Sequence, residues 1–153
     1  MPLISIIMPY YKKESFIKES IDSILKQSFK NFEIIIVDDE ISNESSRTLK
    51  KINKVDKRIK VIKNKKNLGA GQTRNNGIKF ARGKYIAFCD CDDLWKKNKL
   101  LNQLKFMKKS NLEFSFTSYG IIDSKGNIIG GIDAKRRIDF NDLVKSCDIG
   151  LSS

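Results

Sequence analysis

The chain contains no histidine, and this absence removes more chemistry than any other feature of its composition. Ser-His-Asp and Cys-His nucleophile systems and most catalytic zinc sites require an imidazole ring, so these classes are excluded. Any acid, base or metal ligand in this protein must therefore be mostly a carboxylate.

Glycine is absent from the first 68 residues, and the first glycine is Gly69. The dinucleotide-binding fingerprint and the Walker loop both need glycines in the first strand-to-helix turn, because the backbone there approaches phosphate closely. The corresponding turn here reads PYYKKES, so both classes are excluded. An aspartyl-phosphate phosphatase is disfavoured as well, since its aspartate pair would follow the first strand rather than the fourth.

The sequence also lacks long apolar runs and a paired set of cysteines. Its longest apolar stretches, LISIIM and EIIIV, are far shorter than the roughly 18 residues of a membrane-spanning helix, and its N-terminus is not typical of a signal peptide. We therefore predict a cytoplasmic protein. Three cysteines without framework spacing, with Cys89 and Cys91 in an apolar run, predict reduced and partly buried thiols.

A strong positive charge is present instead, with 30 basic against 18 acidic residues and a net charge of +12. This balance favours a polyanionic partner such as nucleic acid, anionic lipid or a phosphorylated substrate. Lysines outnumber arginines 24 to 6, which favours a general lysine bias over nucleic-acid recognition. We expect no nucleic acid partner. The ten basic residues from Arg47 to Lys66 leave an anionic membrane surface as an alternative partner.

Hydrophobic periodicity predicts strands and helices in alternation along the chain. Strands are expected at LISIIMP, FEIIIVDD, RIKVIK and KYIAFCD, the last of them buried, and helices at ESFIKESIDSILKQ, residues 43–53, AGQTRNNGIKFA and LWKKNKLLNQLKFMKK. The segment EFSFTSYG follows, and GIIDSKGNIIGG is typical of a hairpin with DSKGN as its turn. We predict one α/β domain over residues 1–153, with a mainly parallel sheet flanked by helices and a late hairpin.

Two acidic clusters end predicted strands, residues 38–39 in one and Asp90 with Asp92 in the other. Ligands of parallel sheets bind at the carboxyl ends of strands, so a single cleft can present both clusters. Residues two apart on a strand share a face, which directs Asp90 and Asp92 one way and Cys89 and Cys91 the other. Two hard oxygen donors on one face suit Mg²⁺ or Mn²⁺.

Three aspartates, Asp90, Asp92 and Asp93, lie within four positions and repel one another. The alternative to metal binding is a helix cap, and we expect Asp93 to cap a helix that begins near Leu94. Capping leaves two carboxylates unexplained, so metal binding is the favoured interpretation.

Taken in order, these segments resemble the family-two glycosyltransferases, inverting enzymes with the GT-A fold that transfer a sugar from a nucleotide diphosphate donor. The resemblance covers roughly residues 3–110. ISIIMPYYKKESFIKESIDSILKQSFKNFEIIIVDDE is similar to the family's opening, NKKNLGAGQTRNNGIKFARGKYIAF to its middle and CDCDDLWKKNKL to its D-x-D element. It implies a nucleotide-sugar-binding half at residues 1–110 and the start of an acceptor-side half at residues 111–153.

The resemblance implies nucleotide-binding roles for three residues near the ends of the first two strands. Pro9 and Tyr11 would form the wall of the nucleotide pocket, although the alternative for Tyr11 is a place in the core. Asp39 would accept a hydrogen bond from the base.

Three further residues would bind the remainder of the donor. Arg74 would lie near the diphosphate or the sugar, with a salt bridge across the cleft mouth as its alternative role. Asp90 would contact ribose or sugar hydroxyls, and Asp92 would ligate Mn²⁺ or Mg²⁺. The ion would stabilise the charge on the leaving diphosphate during an inverting displacement.

The sequence departs from the family pattern in three places. Lys12 replaces an asparagine, and Glu40 replaces a glycine in the turn after the second strand. The family's catalytic base would lie beyond Ser153, since none of the aspartates after position 110 matches it. We therefore expect a donor-binding fragment or a short donor-binding protein, with little transfer activity alone. An unpaired apolar strand edge at Leu151 would favour a homo-oligomer.

The resemblance further implies a UDP-sugar donor and a glycan or lipid-linked acceptor in bacterial cell-surface polysaccharide synthesis. Such a protein would work in the cytoplasm, with peripheral contact at the inner face of the membrane. Two alternatives are a non-catalytic basic module that binds nucleic acid or an anionic membrane, and a donor-binding pseudoenzyme. Salt-dependent retention on DNA that Asp92→Ala does not affect would indicate the first.

Overall fold

The computed structural model describes residues 1–135, 137–139, 141–142 and 149–153. They form two compact units: the first unit comprises residues 1–101 with Ser152, and the second comprises residues 102–151 with Ser153. The prediction of a single domain, with halves at residues 1–110 and 111–153, stays a prediction. Among the described residues, no helix combines the length and the apolar character needed to cross a membrane.

The first unit contains a four-stranded parallel sheet with the strand order β3-β2-β1-β4. The strands are β1 (Ile4–Tyr10), β2 (Phe32–Asp38), β3 (Ile59–Lys63) and β4 (Tyr85–Phe88). Three helices connect them, α1 (Glu14–Leu25), α2 (Asn43–Asn53) and α3 (Gly69–Ile78), and α4 (Lys99–Ser110) follows β4. The predicted α/β architecture with a parallel sheet is confirmed.

The two central strands are apolar on both faces because helices cover both faces of the sheet. Ile34 and Ile36 belong to the core cluster on one face, which α1 and α2 share, whereas Ile7 and Val37 belong to the cluster on the other face. The helix α3 covers that second face at Gly77, where a Cβ atom would lie 2.6 Å from Cγ2 of Ile7. The close approach of α3 fixes the position of the side chains it carries.

The fourth strand differs from its prediction because it is only partly buried and ends at Phe88. It pairs with β1 over four residues, Ile4 to Ile7, and it is an edge strand of the sheet in this structure. An edge strand has one unpaired side and is less enclosed than the central strands. The acidic cluster therefore follows β4 in a loop rather than forming its last residues.

The helix after the acidic cluster begins at Lys99, so the prediction that Asp93 caps a helix from Leu94 is wrong. The intervening backbone is bound by α1 and the turn after it instead. Gln27 Nε2 donates to the carbonyl oxygen of Lys96 at 2.9 Å, and the indole of Trp95 is buried in the core. These long-range contacts outweigh the local capping preference.

The second unit contains the predicted hairpin, formed by β5 (Tyr119–Ile122) and β6 (Ile128–Ile132). Its DSKGN turn is confirmed, because Asp123 Oδ1 accepts from the amides of Lys125 and Asn127 and Gly126 has a positive φ of 83°. Only the last two residues of EFSFTSYG belong to a strand.

Two predictions concern the C-terminal residues. Leu151 lies in a turn, so the expected strand edge at this position is wrong. The homo-oligomer that it would have favoured stays a prediction without that support. Cys147 and Asp148 lie outside the described residues.

Candidate functional site

A cleft of about 500 Å³ lies at the carboxyl ends of β1, β2 and β4 in the first unit. Its volume is within the range of small-molecule sites. All six residues predicted for the site lie in its lining: Pro9, Tyr11, Asp39, Arg74, Asp90 and Asp92. The two acidic clusters thus meet in one cleft, as expected for strand ends of a parallel sheet.

The wall contributed by β1 contains two adjacent tyrosines with opposite environments. Tyr10 is fully buried, and its hydroxyl donates to Glu14 at 2.8 Å. Tyr11 is 46% exposed and lines the cleft beside Pro9, so its alternative assignment to the core is wrong. Tyr11 therefore offers an accessible aromatic surface to a flat ligand.

Asp39 lies at the end of β2 and is 3% exposed. Its Oδ1 accepts from Asn64 Nδ2 and from the amide of Leu68, both at 2.8 Å, and its Oδ2 accepts from the amide of Gly69 at 2.9 Å. These bonds cap the N-terminus of α3, where Gly69 has a positive φ of 77°. A carboxylate has about four acceptor positions, so Oδ2 retains one for a ligand.

Asp38, the neighbour of Asp39, has a structural role. Its Oδ1 accepts from the amides of Glu40 and Ile41 at 3.1 and 3.3 Å, and its Oδ2 accepts from the Ser45 hydroxyl at 3.0 Å. The left-handed residue of this turn is Ile41, with a φ of 64°, rather than the glycine-replacing Glu40. Asp38 therefore fixes a strained turn beside the cleft.

Arg74 and Asp90 form the ion pair that was the predicted alternative for Arg74. Arg74 Nη2 lies 2.5 Å from Asp90 Oδ1, and the arginine side chain is only 11% exposed. The Nε–H of Arg74 is buried and has no hydrogen-bond partner among the described residues. Arg74 itself lines the cleft, so its guanidinium group is a natural contact for an anionic ligand.

Asp92 forms a second ion pair, which sequence reasoning missed. Lys13 Nζ lies 2.6 Å from Asp92 Oδ2, and the two side chains are about two-fifths exposed. The hydrogen bond to Asp92 raises the pKa of Lys13, so this lysine stays protonated. Predicting this contact requires knowing that β1 and β4 are neighbours in the sheet, because this order places the lysines after β1 beside the acids after β4.

Two cysteines alternate with these aspartates and belong to the core, so they are more deeply buried than the partly buried thiols that were predicted. Cys89 and Cys91 are buried free thiols. Burial raises the pKa of Cys89 to about 12 and also raises the pKa of Cys91. Both remain neutral thiols. Burial raises the pKa of the Asp93 carboxyl as well.

The cleft has two partly exposed carboxylates, Asp90 and Asp92, of the type that suits a divalent metal ion. No cluster of three potential metal ligands occurs among the described residues. Both acids line the cleft and both are ion-paired through one oxygen, Asp90 Oδ1 with Arg74 and Asp92 Oδ2 with Lys13. Mg²⁺ is commonly bound by one or two carboxylates together with substrate phosphates, and Mn²⁺ accepts the same hard oxygen ligands. The donor set therefore fits an ion that a phosphate ligand helps to coordinate.

Two further cleft residues were also missed. Asn67 Nδ2 donates to the carbonyl oxygen of Asp39 at 3.0 Å, and the buried Thr73 hydroxyl accepts from Asn64 Nδ2 at 3.1 Å. In the sequence, Asn67 before α3 and Thr73 within it are ordinary polar residues, and no pattern marked them as parts of a site. Asn67 connects the loop before α3 with the end of β2, and Thr73 connects α3 with Asn64 at the start of that loop.

A comparison with protein families and with curated proteins gives consistent matches. The family profile described as Glycosyl transferase family 2 matches residues 5–145. WfgD of Escherichia coli, named as a UDP-Glc:alpha-D-GlcNAc-diphosphoundecaprenol beta-1,3-glucosyltransferase, is 42% identical over 148 residues. That match covers 97% of this chain and 57% of WfgD. The chain thus spans little more than half the length of this relative.

Solved structures resemble the chain as well. TarS 1-349 of S. aureus, crystallised in complex with UDP-GlcNAc, is 32% identical with a TM-score of 0.62. This match covers 72% of this chain and 32% of TarS 1-349. The mannosyltransferase PcManGT of Pyrobaculum calidifontis, solved with GDP-Man and Mn²⁺, has a TM-score of 0.66 at 18% identity and covers 81% of this chain and 36% of its own. The latter match indicates a shared fold only.

Proposed function

The chain belongs to glycosyl transferase family 2, and from this premise we propose that its cleft binds a nucleotide-diphosphate sugar for inverting sugar transfer. The predicted resemblance and the GT-A fold are confirmed by the family match and the solved structures. The observation that carries the proposal is that Arg74, whose buried Nε–H has no partner among the described residues, lines the same cleft as Asp39 and Asp92.

The base of the nucleotide is proposed to bind between the β1 wall and the end of β2. Tyr11 offers its exposed ring to the base, beside Pro9. The remaining acceptor position of Asp39 Oδ2 suits a ring N–H such as that of uracil, and the three donors already bound to Asp39 orient this carboxylate. We propose UDP as the nucleotide, in agreement with the UDP-GlcNAc complex of TarS.

The diphosphate is proposed to bind between Arg74 and Asp92. The Nε–H of Arg74 is buried, so a small shift of the side chain on binding would expose it to a phosphate oxygen, while Nη2 orients Asp90 toward ribose or sugar hydroxyls. Asp92 would ligate Mn²⁺ or Mg²⁺, and the bound ion would supply Lewis-acid stabilisation of the leaving diphosphate. The buried thiols below the loop fix its backbone without entering this chemistry.

Sugar transfer itself is proposed for the whole protein, with a glycan or lipid-linked acceptor in cell-surface polysaccharide synthesis. Support comes from the name of WfgD, whose acceptor carries a diphosphoundecaprenol group. The catalytic base is unassigned in residues 1–153.

Ligand-linked stabilisation tests the proposal. Thermal unfolding of residues 1–153 is measured with UDP, GDP and CDP, each with and without Mn²⁺. We expect a rise in the unfolding temperature with UDP and Mn²⁺ together, and its loss in Asp92→Asn. The matched control is Glu19→Gln, which removes a charge from an exposed position of α1.

The control variant should respond like the unchanged protein. Stabilisation by UDP and Mn²⁺ that persists unchanged in Asp92→Asn would contradict the metal role of Asp92. The absence of any nucleotide effect on the unchanged chain would contradict donor binding as a whole.

A second proposal concerns peripheral contact with the membrane, for which a separate groove gives support. This groove of about 610 Å³ is lined by four lysines, Lys63, Lys65, Lys66 and Lys79, and by apolar side chains that include the half-exposed Phe80. None of the described residues that line it is acidic. Lysines around an apolar floor suit the anionic surface of a cytoplasmic leaflet.

Vesicle sedimentation tests this contact. The chain is expected to sediment with vesicles of phosphatidylglycerol but not of phosphatidylcholine, and to be released by salt. Lys65→Glu with Lys66→Glu should abolish binding, whereas the equal charge change in Lys108→Glu with Lys109→Glu on α4 should leave most of it. An equal loss in both double variants would indicate net charge rather than the groove.

A further inference from the structure

The ammonium group of Lys13 is bound to Asp92, the carboxylate that we propose as a metal ligand. Lys13 Nζ donates to Asp92 Oδ2 at 2.6 Å, and neighbouring Asp90 is paired in the same way with Arg74. Each carboxylate of the D-x-D element therefore already has a cation from the chain itself. The repulsion between the two acids is relieved without any ligand.

The turn after β1 directs Lys13 toward the cleft. Lys12 has a left-handed φ of 51°, and its amide donates to Glu40 Oε2 at 3.0 Å. Lys13 follows at the N-cap position of α1, where its side chain makes no capping bond. Its ammonium group is also 5.8 Å from the centre of the Phe16 ring. The backbone thus places this side chain over Asp92 rather than along the helix.

A lysine and a metal ion on the same carboxylate repel each other, although Asp92 has enough acceptor positions to bind both. Mg²⁺ binds carboxylate oxygens at about 2.0 to 2.1 Å, and Mn²⁺ prefers the same hard ligands, so the positive charge of the ammonium group on the same carboxylate would oppose either ion. The ion pair is two-fifths exposed, and exposed ion pairs are weak. Lys13 is therefore displaceable by an ion that gains additional ligands at the same time.

We propose that Lys13 is an internal counter-ion that competes with divalent metal for Asp92, so that metal binds weakly until a nucleotide diphosphate supplies further oxygen ligands. The inference rests on the proposed metal role of Asp92. Once displaced, the ammonium group has the diphosphate as a new anionic partner, and its competition with the metal falls. Lys13 thereby couples metal binding to donor binding.

Manganese binding measured by electron paramagnetic resonance, with and without UDP, tests this coupling. Without UDP, Lys13→Met is expected to bind Mn²⁺ about fivefold more tightly than the unchanged chain, the change that fits loss of an exposed ion pair. With UDP the gain should be smaller, so UDP strengthens Mn²⁺ binding by a smaller factor in this variant. Lys13→Arg keeps the charge and should retain the weak affinity.

The matched control is Lys18→Met. Lys18 forms an ion pair of similar length with Asp22 on the same helix, at 2.7 Å, and does not line the cleft. The control loses the same charge and should change Mn²⁺ affinity little. Equal unfolding temperatures for the variants would show that each is folded.

The outcomes separate this inference from the proposed function. Equal Mn²⁺ affinity of Lys13→Met and Lys18→Met, with binding still lost in Asp92→Asn, would overturn the inference and leave the metal role intact. If the double variant Lys13→Met with Asp92→Asn still binds Mn²⁺ more tightly than the unchanged chain, the ion binds elsewhere. That result would also overturn the inference. No Mn²⁺ binding by any variant, even with UDP, would contradict the metal role of Asp92 and the inference with it.

Discussion

Two pairs of aspartates lie at the same edge of the sheet, and their partners are of different kinds. Asp38 and Asp39, at the end of β2, are 1% and 3% exposed and accept from main-chain amides and neutral side chains. Asp90 and Asp92, after β4, are more exposed and are paired with charged side chains. The first pair is built into the turns, whereas the second pair is neutralised by side chains.

The kind of partner determines whether an acid can exchange it for a ligand. Main-chain amides cannot leave a buried carboxylate without breaking the turn that contains them, and the unpaired groups would be costly. A lysine on a flexible stem can move away when another cation arrives. The acids after β4 are therefore the ones suited to exchanging a partner for a metal or a sugar. Those after β2 keep their protein partners, and Asp39 would bind the base only through its remaining acceptor position. Mutations at the two strand ends should separate stability from binding.

The largest expected effect is on the free energy of unfolding at the β2 end. Asp38→Ala should destabilise the first unit by about 3 kcal/mol, because it leaves the amides of Glu40 and Ile41 and the hydroxyl of Ser45 without their acceptor. Urea denaturation measures the loss. Asp38→Asn keeps one acceptor oxygen and should cost much less, and equal losses in the two variants would contradict this account.

The next effect is on binding rather than on folding. Arg74→Met should weaken binding of UDP in the presence of Mn²⁺ about tenfold, because it removes the free Nε–H and releases Asp90. Isothermal titration calorimetry measures the affinity. Arg74→Lys restores a charge without the planar donors and should recover only part of it. Unchanged affinity in Arg74→Met would remove the arginine from the proposed site.

The third prediction concerns an acid that is also paired with a cation but lies away from the cleft, where we expect the pair to affect stability and not binding. Asp56, before β3 and away from the cleft, accepts from the amide, Nε and Nη2 of Arg58. Hydrogen bonds from Arg58 lower the pKa of Asp56 from 3.8 to about 2. Since the folded pKa is the lower one, the pair stabilises the fold above pH 3.8, and this contribution is lost as the pH falls toward 2.

Asp56→Asn tests this dependence. The variant should lose about 1 kcal/mol of unfolding free energy at pH 6, after allowance for partial exposure, and the difference from the unchanged chain should vanish near pH 2. Denaturation curves across this pH range measure it. Binding of UDP and Mn²⁺ should not change. A weakened nucleotide affinity would show that charge away from the cleft also controls binding.

The elements that were predicted correctly are those whose own segment of sequence contains the pattern that determines them. The apolar runs of β1 and β2 and the helical spacing in α1 are visible in the sequence, because central strands are covered on both faces. The start of α4 was not, since the contact between Gln27 and Lys96 joins residues far apart in sequence. The partial exposure of β4 follows from its place at the edge of the sheet, and the hydrophobic periodicity of a sequence does not reveal the order of its strands.

The same limit applies to the cleft. Asp39, Asp90 and Asp92 were identified because they end predicted strands and match a family pattern. Of their partners, only a salt bridge of Arg74 was anticipated, without naming its acid. Lys13 meets Asp92 only because β1 and β4 are neighbours in the sheet. Composition and spacing therefore located the acids, and the topology was needed to show which cation each acid has.

The smallest expected effect is on stability at the β4 end. Asp92→Ala should change the free energy of unfolding by no more than about 0.5 kcal/mol, because its ion pair with Lys13 is exposed and screened by salt. Urea denaturation without nucleotide or metal, beside Asp38→Ala, measures the contrast, and added NaCl should reduce what difference remains. A loss as large as that of Asp38→Ala would mean that Asp92 is as much a part of the folded framework as the acids of β2, and that Lys13 cannot leave it without unfolding the loop.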